Sequence, residues 1–280
     1  MHITGTVAVT GAGSGLGRAL AAEWARRGAH VLALVHEEEQ RPALEAALDG
    51  LPGRADIRIL DVTAPGGFAF PDDVEVLVNN AGIRLRNLPV EEIPTEEWRR
   101  HMEVNFFGAV ELTRRALPLM RARRRGVIVN INSNALTMPL PFLGPYRSSK
   151  GALAAFAETL RTEVSPFGIR VLEILSGSVR TGLSATAMSA HPPEAVDVPA
   201  YAPMARHIAG GALLGGGVTA EPLPAEVAAE RVVDAVLRED GRFRYGTDER
   251  STRSIDAWRG EGGGEPLIAR YIEAVTPPAG

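Results

Sequence analysis

The chain has 280 residues, of which 45% are hydrophobic and 23% are charged, so it is long enough to bury one large core or two modest ones. The net charge of −4 and the pI near 5.9 give no basic surface of the kind that binds nucleic acid. Cysteine is absent, which excludes disulfides and thiolate chemistry. The six histidines have no metal-ligand spacing, so we expect no zinc site.

No apolar run approaches the roughly 20 residues of a membrane-spanning helix. The first residues, MHITGTVAVTGAG, predict a short strand entering a glycine turn, with no charged leader before an apolar stretch. We therefore expect a soluble, cytoplasmic protein without a membrane partner.

Short aliphatic runs alternate with longer helical patterns between residues 3 and 177. The predicted strands are Thr6 to Thr10, His30 to Val35, Asp56 to Leu60, Val74 to Asn79, Gly126 to Ile131 and Ile169 to Leu175. The predicted helices lie near residues 16–27, 38–48, 95–123 and 147–165. Continuously apolar strands separated by helices predict an α/β fold with a parallel sheet covered on both faces. Ligands of such sheets bind beyond the carboxyl ends of the strands.

The region after residue 181 is rich in Ala, Gly and Pro. Residues 182–224 are either a poorly ordered insertion or a lid over an apolar substrate pocket with glycine hinges, and we favour the lid. Its candidate lining residues are Leu183, Met188, Tyr201, Met204 and Leu213. A helix is predicted from Pro224 to Glu239, and the tail over residues 241–280 has no regular pattern.

A glycine-rich turn joins the first strand to the first helix in VAVTGAGSGLGRAL. Leu16 stands where the third glycine of G-x-G-x-x-G would be, and the pattern is instead T-G-x-x-x-G-x-G. Backbone N–H groups at such a turn, together with the helix N-terminus, can receive a pyrophosphate.

Two residue types are used selectively. The chain has 29 arginines and a single lysine, Lys150, which lies four residues after Tyr146 in PYRSSKGAL. All seven asparagines fall between residues 79 and 134, and Asn105 lies inside a helical pattern that asparagine disfavours. A Tyr–Lys pair at this spacing is either a surface contact or a catalytic pair, and the lone lysine favours a site that needs a compact ammonium.

Together, TGAGSGLG, the DV at 61, NNAG, Asn105, Ser133 in VNINS and YRSSK resemble the motif series of the short-chain dehydrogenase/reductase family, in order and near its spacings. The resemblance covers about residues 5 to 181 and the later PAEVAAERVVDAV. It implies one Rossmann-like, doubly wound domain over residues 1–280. It also implies NAD or NADP as cofactor, and hydride transfer between nicotinamide and a carbonyl or alcohol carbon of a small molecule.

The resemblance implies four catalytic residues. Tyr146 would be the general acid/base, Lys150 its partner, Ser133 the group that polarises the carbonyl and Asn105 the anchor of a proton-relay water. Tyrosine titrates near 10, so work near pH 7 asks for a pKa lower by roughly 3, which a neighbouring ammonium and an oxidised nicotinamide both favour.

The resemblance also implies cofactor contacts. Asp61 would meet the adenine, Asn79 and Gly82 would line the adenosine side, and Thr181 would reach the carboxamide. The predicted cofactor-binding set is Gly11, Ser14, Gly15, Leu16, Gly17, His36, Asp61, Val62, Asn79, Ala81, Gly82, Tyr146, Lys150, Gly177, Val179 and Thr181. Ser176-Gly177 replaces the Pro-Gly that is usual in the family.

The end of the second strand bears on the choice of cofactor. Members selective for NAD carry an acidic residue there, whereas this chain has Val35 and then His36, so we favour NADP. Glu37, Glu38 and Glu39, and a serine rather than a basic residue at position 14, argue the other way.

Further expectations follow from the resemblance. Only TAPGGFAFPDDVE separates Val62 from the fourth strand, so the crossover helix there is predicted to be short or missing. RFRYGTD in the tail resembles members that act on steroids, retinoids and other hydrophobic alcohols or ketones, which favours a hydrophobic substrate. The helices at 95–123 and 147–165 correspond to the family's dimer interface, so we expect a homodimer or homotetramer. Two alternative functions are a nicotinamide-binding sensor without turnover, and a lyase or epimerase that uses the cofactor internally.

Overall fold

The computed structural model describes residues 2–180, 193–210 and 222–259, and the short pieces 268–269, 272–274 and 276. Seven strands form one sheet in the order β3-β2-β1-β4-β5-β6-β7, and every neighbouring pair is parallel. The strands are β1 Thr6–Thr10, β2 His30–Val35, β3 Arg54–Ile59, β4 Val74–Asn79, β5 Gly126–Ser133, β6 Ile169–Ser176 and β7 Arg244–Gly246. The predicted Rossmann-like, doubly wound sheet is confirmed.

Helices cover both faces of the sheet. They are α1 Gly15–Arg26, α2 Arg41–Leu48, α3 Thr95–Met102, α4 Gly108–Arg123, α5 Gly144–Val164, α6 Ala202–Ala209, α7 Ala225–Leu237 and α8 Glu249–Arg259. In β1, Val7 and Val9 join the cluster that contains α1 and α7, whereas Ala8 joins the cluster that contains α4 and α5. Alternate side chains of a strand face opposite ways, so a strand covered on both faces is apolar at consecutive positions, as Val7, Ala8 and Val9 are. Within the described parts of the chain, no helix is both long and apolar enough to cross a membrane.

The long helix predicted over residues 95–123 is divided. A π-helical turn, Glu103–Phe107, separates α3 from α4. The predicted helix was therefore wrong in its continuity, because its apolar pattern carries through the turn and does not reveal the change in hydrogen bonding. Such turns are frequent at functional sites, and this one contains Asn105.

The missing crossover helix is confirmed, since no helix lies between β3 and β4. An irregular loop takes its place, and its Phe68 and Phe70 rings pack edge to face at 4.9 Å. Arg115 of α4 holds this loop by donating to the carbonyl oxygens of Gly66 at 2.9 Å and Phe68 at 2.7 Å.

The C-terminal third contains elements that the sequence did not predict. β7 is a three-residue edge strand beside β6, and α8 follows it. Within the predicted lid, α6 packs against Phe142 through Ala205 and Ile208. Tyr201 and Met204 lie beside this cluster. The other candidate lid residues, Leu183, Met188 and Leu213, lie outside the described residues.

Candidate active site

The turn between β1 and α1 has the shape of an anion cradle. Gly11 and Gly15 have positive φ angles of 63° and 51°. A Cβ atom on Gly17 would lie 2.0 Å from the Gly11 carbonyl oxygen, so only glycine fits there. Ser14 is the N-cap of α1 but makes no side-chain capping bond, and the first turn has no acidic residue. The first N–H groups of α1 are therefore available to a phosphate.

The end of β4 is tied to this turn. Both Asn80 N and Ala81 N donate to Thr10 Oγ1 at 2.9 Å, and Asn80 Nδ2 donates to Thr10 O at 2.9 Å. Gly82 follows and is exposed. A Cβ atom on it would lie 3.2 Å from Asn105 Oδ1 and 3.7 Å from Lys150 Nζ. Because Gly82 has no side chain, the space beside Asn105 and Lys150 stays open.

Asn105 is almost fully buried in the π-helical turn and is bonded on both sides of its amide. Its Oδ1 accepts from Ile83 N at 2.7 Å, and its Nδ2 donates to Ile83 O at 3.0 Å and to Ser149 Oγ at 3.0 Å. Ser149 Oγ in turn donates to Tyr146 O at 2.8 Å. The asparagine therefore joins the loop after β4 to the first turns of α5.

Tyr146, Lys150 and Ser133 meet at the carboxyl end of β5. Tyr146 and Lys150 are buried on one face of α5. Lys150 Nζ donates to Ile131 O at 2.8 Å and lies 6.0 Å from the centre of the Tyr146 ring. Ser133 Oγ accepts from Ala135 N at 3.1 Å, and its hydroxyl hydrogen-bonds to Tyr146. The four residues predicted to be catalytic thus lie together.

Burial controls the charges at this site. Burial raises the pKa of Tyr146 above its ordinary value of 10, against the opposing effects of the Ser133 hydrogen bond and the Arg84 charge. Burial also lowers the pKa of Lys150 to about 8, although Glu173 opposes this. The protein alone therefore holds Tyr146 protonated near neutral pH, and does not lower its pKa as the sequence argument asked.

A series of buried hydrogen bonds connects the backbone of Lys150 to Asn132, Glu173 and Arg244. Asn132 Nδ2 donates to Lys150 O at 3.0 Å and to Glu173 Oε1 at 2.8 Å, while Asn132 Oδ1 accepts from Ser133 N at 2.9 Å. Glu173 Oε2 accepts from Arg244 Nε of β7 at 2.5 Å. The sequence did not predict these hydrogen bonds, and Asn132 in VNINS was the one residue of the series that its residue type singled out.

Two further side chains reach Tyr146 that the sequence did not single out. The His101 ring lies edge to face with the Tyr146 ring at 6.5 Å. Burial lowers the pKa of His101 and keeps it neutral. The Arg84 guanidinium carbon lies 6.0 Å from the Tyr146 ring centre. Its place directly after NNAGI, beside the predicted site, was the one available signal.

Comparison with known proteins agrees with this geometry. A family model described as short chain dehydrogenase matches residues 5–191. The chain belongs to the short-chain dehydrogenase family. Short-chain dehydrogenase PC-15 of Penicillium crustosum is 38% identical over 251 residues, covering 86% of this chain and 87% of that protein.

Two further proteins are similar to this chain, one in sequence and one in structure. Human 11-beta-hydroxysteroid dehydrogenase type 2 is 37% identical over 188 residues, which are 64% of this chain and 46% of that protein. A short chain dehydrogenase from Burkholderia cenocepacia J2315, solved in complex with NADP, has a TM-score of 0.71 and 25% identity. That comparison covers 99% of this chain and 100% of the Burkholderia protein.

The remaining residues that the sequence predicts to bind the cofactor of this short-chain dehydrogenase are partly exposed and partly buried. His36 and Asp61 are exposed at the ends of β2 and β3. Asp61 Oδ1 accepts from Thr63 N at 2.8 Å, and this bond and the Thr63 hydroxyl hold the pKa of Asp61 below its usual value. Val62 and Val179 are buried, and Leu16 packs in the core beneath the glycine turn.

Asn79 has a role inside the sheet that the sequence did not predict. Its side chain is buried, and its Nδ2 donates to Asn130 Oδ1 at 2.9 Å and to Thr113 Oγ1 at 3.1 Å. These bonds direct the side chain toward β5 and α4 rather than toward the edge where Gly82 lies. At Gly177 a Cβ atom would lie 1.9 Å from Asp248 Oδ2, so the Asp248 side chain packs against this glycine. Thr181 lies outside the described residues.

The residues present fit a nicotinamide dinucleotide. The N-terminus of α1 has no side-chain cap and the turn at Gly17 carries no side chain, which suits the pyrophosphate of the dinucleotide. The space at Gly82 lies beside Lys150 and Asn105. Lys150 has three N–H donors, of which one is used by Ile131 O, so it can also donate to ribose hydroxyls.

Proposed function

We propose that this family member is an NAD(P)-dependent ketone reductase or alcohol dehydrogenase. It would transfer a hydride between nicotinamide and the carbonyl or secondary alcohol carbon of a small, hydrophobic substrate. One observation carries the proposal: Asn105, Ser133, Tyr146 and Lys150 lie together at the carboxyl end of β5, next to a glycine turn suited to a dinucleotide.

The four residues have complementary roles in this proposal. When bound, a reduced nicotinamide would be the source of the hydride that the carbonyl carbon takes up. Tyr146 donates its hydroxyl proton to the carbonyl oxygen, and Ser133 donates a hydrogen bond to the same oxygen as negative charge develops there. Burial raises the pKa of Tyr146, so in the protein without cofactor this residue carries the required proton near neutral pH. Asn105 fixes the loop after β4 through the backbone of Ile83.

NADP is the proposed cofactor in preference to NAD. Support comes from the end of β2, where Val35 and His36 replace the acidic residue that pairs with a ribose 2′-hydroxyl. The Burkholderia relative bound to NADP is consistent with this preference. Titration of the protein with NADPH and with NADH, followed by the fluorescence of the reduced nicotinamide, should show tighter binding of NADPH. Binding of NADH about tenfold more tightly would overturn it.

A hydrophobic substrate is supported by the apolar cluster of α6 and by the likeness to a hydroxysteroid dehydrogenase. We further propose one domain over residues 1–280 with a substrate lid at 182–224, a homodimer or homotetramer, and a cytoplasmic location. Nucleic-acid or membrane partners are not part of the proposal.

Substitution of the catalytic pair tests the function. We expect Tyr146→Phe and Lys150→Arg each to lower turnover by at least about a hundredfold, because the proton donor and the compact ammonium are lost, while circular dichroism shows an intact fold. Turnover is followed by the near-ultraviolet absorbance of the reduced nicotinamide with a panel of aromatic and steroid-like ketones. Wild-type turnover in either variant would refute the assignment.

The same assay separates the alternative functions. Cofactor binding without turnover of any ketone or alcohol would indicate a sensor. Product formed without net change in cofactor absorbance would indicate a lyase or an epimerase.

A further inference from the structure

Arg84 is held rigidly beside the catalytic tyrosine. The residue before it, Ile83, is bonded through both N and O to Asn105, at 2.7 and 3.0 Å. The residue after it, Leu85, donates from N to His101 Nε2 at 3.3 Å. His101 Nδ1 lies 2.7 Å from Glu97 O, so Nδ1 carries the proton and Nε2 is free to accept. The backbone on both sides of Arg84 is therefore fixed to the elements that frame the site.

The Arg84 side chain faces Tyr146 and is incompletely bonded. Its guanidinium carbon lies 6.0 Å from the Tyr146 ring centre, and Nη2 donates to Asn87 Oδ1 at 2.8 Å. Nε is buried and has no hydrogen-bond partner within residues 2–180, 193–210 and 222–259. A buried N–H of a charged group without an acceptor is costly, which indicates that an acceptor is missing.

The charge of Arg84 also lacks a partner among the described residues. Two buried carboxylates there each have an arginine partner: Glu75 pairs with Arg125 at 2.6 Å, and Glu173 with Arg244 at 2.5 Å. Among the described residues, no carboxylate forms an ion pair with Arg84. Glu194 acts on it only at longer range, and its Oε2 is already bonded to Asn87 N at 2.8 Å. Taking a cation partly out of water costs less free energy when an anion lies beside it.

We propose that Arg84 binds a carboxylate of the substrate, so that the enzyme acts on a keto acid or hydroxy acid with an apolar body. The inference rests on the proposed function and narrows its substrate class. A carboxylate offers only acceptor oxygens, and a guanidinium binds it with strong, directional, charge-assisted hydrogen bonds. The position beside Tyr146 places the acid group within a few atoms of the reacting carbonyl.

The apolar part of the substrate has its own place. Phe142, Tyr201 and Met204 come together where α6 meets the loop before α5, and the Phe142 and Tyr201 rings lie edge to face at 6.2 Å. Glu194, which precedes α6, bonds to Asn87 of the Arg84 loop. The loop that carries Arg84 is thus bonded to the segment that leads into the apolar cluster, and the substrate would lie with its charged end at Arg84 and its apolar end at this cluster.

The first test compares matched substrates. Wild-type enzyme is assayed with aromatic keto acids and with their methyl esters, which keep the ketone and the apolar body but lack the charge. We expect kcat/KM to favour the acids by at least about tenfold. Arg84→Gln should abolish this preference by raising KM for the acids, with the esters unaffected, and Arg84→Lys should restore part of it. Arg86→Gln is the control, since Arg86 is an exposed arginine of the same loop with its own partner, Glu97.

Two results would overturn the proposal. One is a wild-type enzyme that prefers the esters. The other is an Arg84→Gln variant that loses activity equally on acids and esters, with the same shift of the pH profile on both. The second result would mean that Arg84 acts on Tyr146 itself, whose other charged or titratable neighbours are Lys150 and His101.

A binding experiment keeps this test independent of turnover. Calorimetric titration with phenylpropanoate and with neutral phenylpropanamide should show at least about tenfold tighter binding of the carboxylate to wild type, and no difference for Arg84→Gln. If ketones are reduced but the carboxylate has no advantage, the anion site fails and the proposed function stands. If the carboxylate binds selectively but no ketone is reduced, the proposed function fails, and with it the assignment of the anion as substrate.

Discussion

At the scale of the residue, the burial of Lys150 opposes stability. The only lysine of the chain is buried beneath the site, with one hydrogen bond to a backbone carbonyl and the buried Glu173 nearby. Burial penalises its charged form and lowers its pKa to about 8, whereas the unfolded chain keeps the ordinary value of 10.5. Below pH 8 Lys150 is therefore charged in both states, and its charged form has a higher free energy in the folded state than in the unfolded state.

This predicts an unusual dependence of stability on pH. Between pH 8 and 10.5 the folded state loses the Lys150 proton before the unfolded state does, so the free energy of unfolding of the wild type should rise relative to that of Lys150→Met. Each unit of pKa corresponds to about 1.4 kcal/mol, so the relative gain between pH 7 and pH 10 should be about 2 to 3 kcal/mol. Urea unfolding of both proteins at several pH values measures it. A difference that stays constant from pH 7 to pH 10 would contradict the prediction.

The sequence indicated some site residues and not others for a physical reason. Lys150 and Asn105 stood out because each is the wrong residue type for its local pattern: a lysine in an arginine-rich chain, and an asparagine in a helix. Arg84 did not, because one more arginine among 29 carries no such contrast. Its significance comes from its buried Nε and from the absence of a paired carboxylate in the part of the chain that the structure describes, which only three-dimensional structure reveals.

At the scale of the element, β7 completes the support of the site. Arg244 of this short strand pairs with Glu173 of β6 at 2.5 Å and with Glu158 of α5 at 2.6 Å. Glu173 is fully buried and is the partner of Asn132, which bonds to the backbone of Lys150. Arg244 of the edge strand thus fixes the Glu173 carboxylate, which bonds through Asn132 to the backbone of Lys150.

Removal of the cation should be costly. Arg244→Met leaves Glu173 buried and unpaired, so we expect a loss of about 3 to 5 kcal/mol in the free energy of unfolding. Arg253→Met is the matched control, because the Arg253–Glu249 pair is exposed at 68% and 85% and its loss should change stability by less than about 0.5 kcal/mol. Chemical denaturation measures both. Equal changes in the free energy of unfolding for the two substitutions would show that the buried ion pair contributes no more to stability than the exposed one.

The strands with strong aliphatic runs were predictable, and the later elements were not. Predictions for β1, β2 and β4 matched the structure at both ends, because two-sided burial makes these runs continuously apolar. β7 has only three residues, and its backbone bonds to β6 rather than its composition make it a strand. The π-helical turn was missed because it changes which carbonyl each N–H reaches and not which residues are apolar.

At the scale of the whole molecule, one exposed aromatic cluster bears on assembly. Phe107 is 48% exposed, and its ring packs at 5.0 Å against Phe106, which in turn contacts Phe156 of α5 at 6.3 Å. The cluster joins the start of α4 to α5, the helices through which the predicted dimer forms. Exposed aromatic residues are enriched at protein interfaces.

We therefore expect Phe107→Arg to shift the protein from dimer to monomer, because a charge replaces an aromatic contact at the interface. Sedimentation velocity at several concentrations measures the shift. Ile59→Arg serves as control, since Ile59 is 52% exposed at the far edge of the sheet on β3 and should leave the dimer intact. A monomeric wild type, or an unchanged dimer in Phe107→Arg, would contradict the prediction.

The lone lysine has a practical consequence for work on the intact enzyme. Because the chain has only one ε-amine and that amine lies 5% exposed within the site, an acylating reagent has no competing lysine on the surface. The added mass on Lys150, read from a single peptide, therefore reports how often the site opens to solvent. Bound nucleotide or substrate can then be scored by how strongly it protects that amine, with no engineered label.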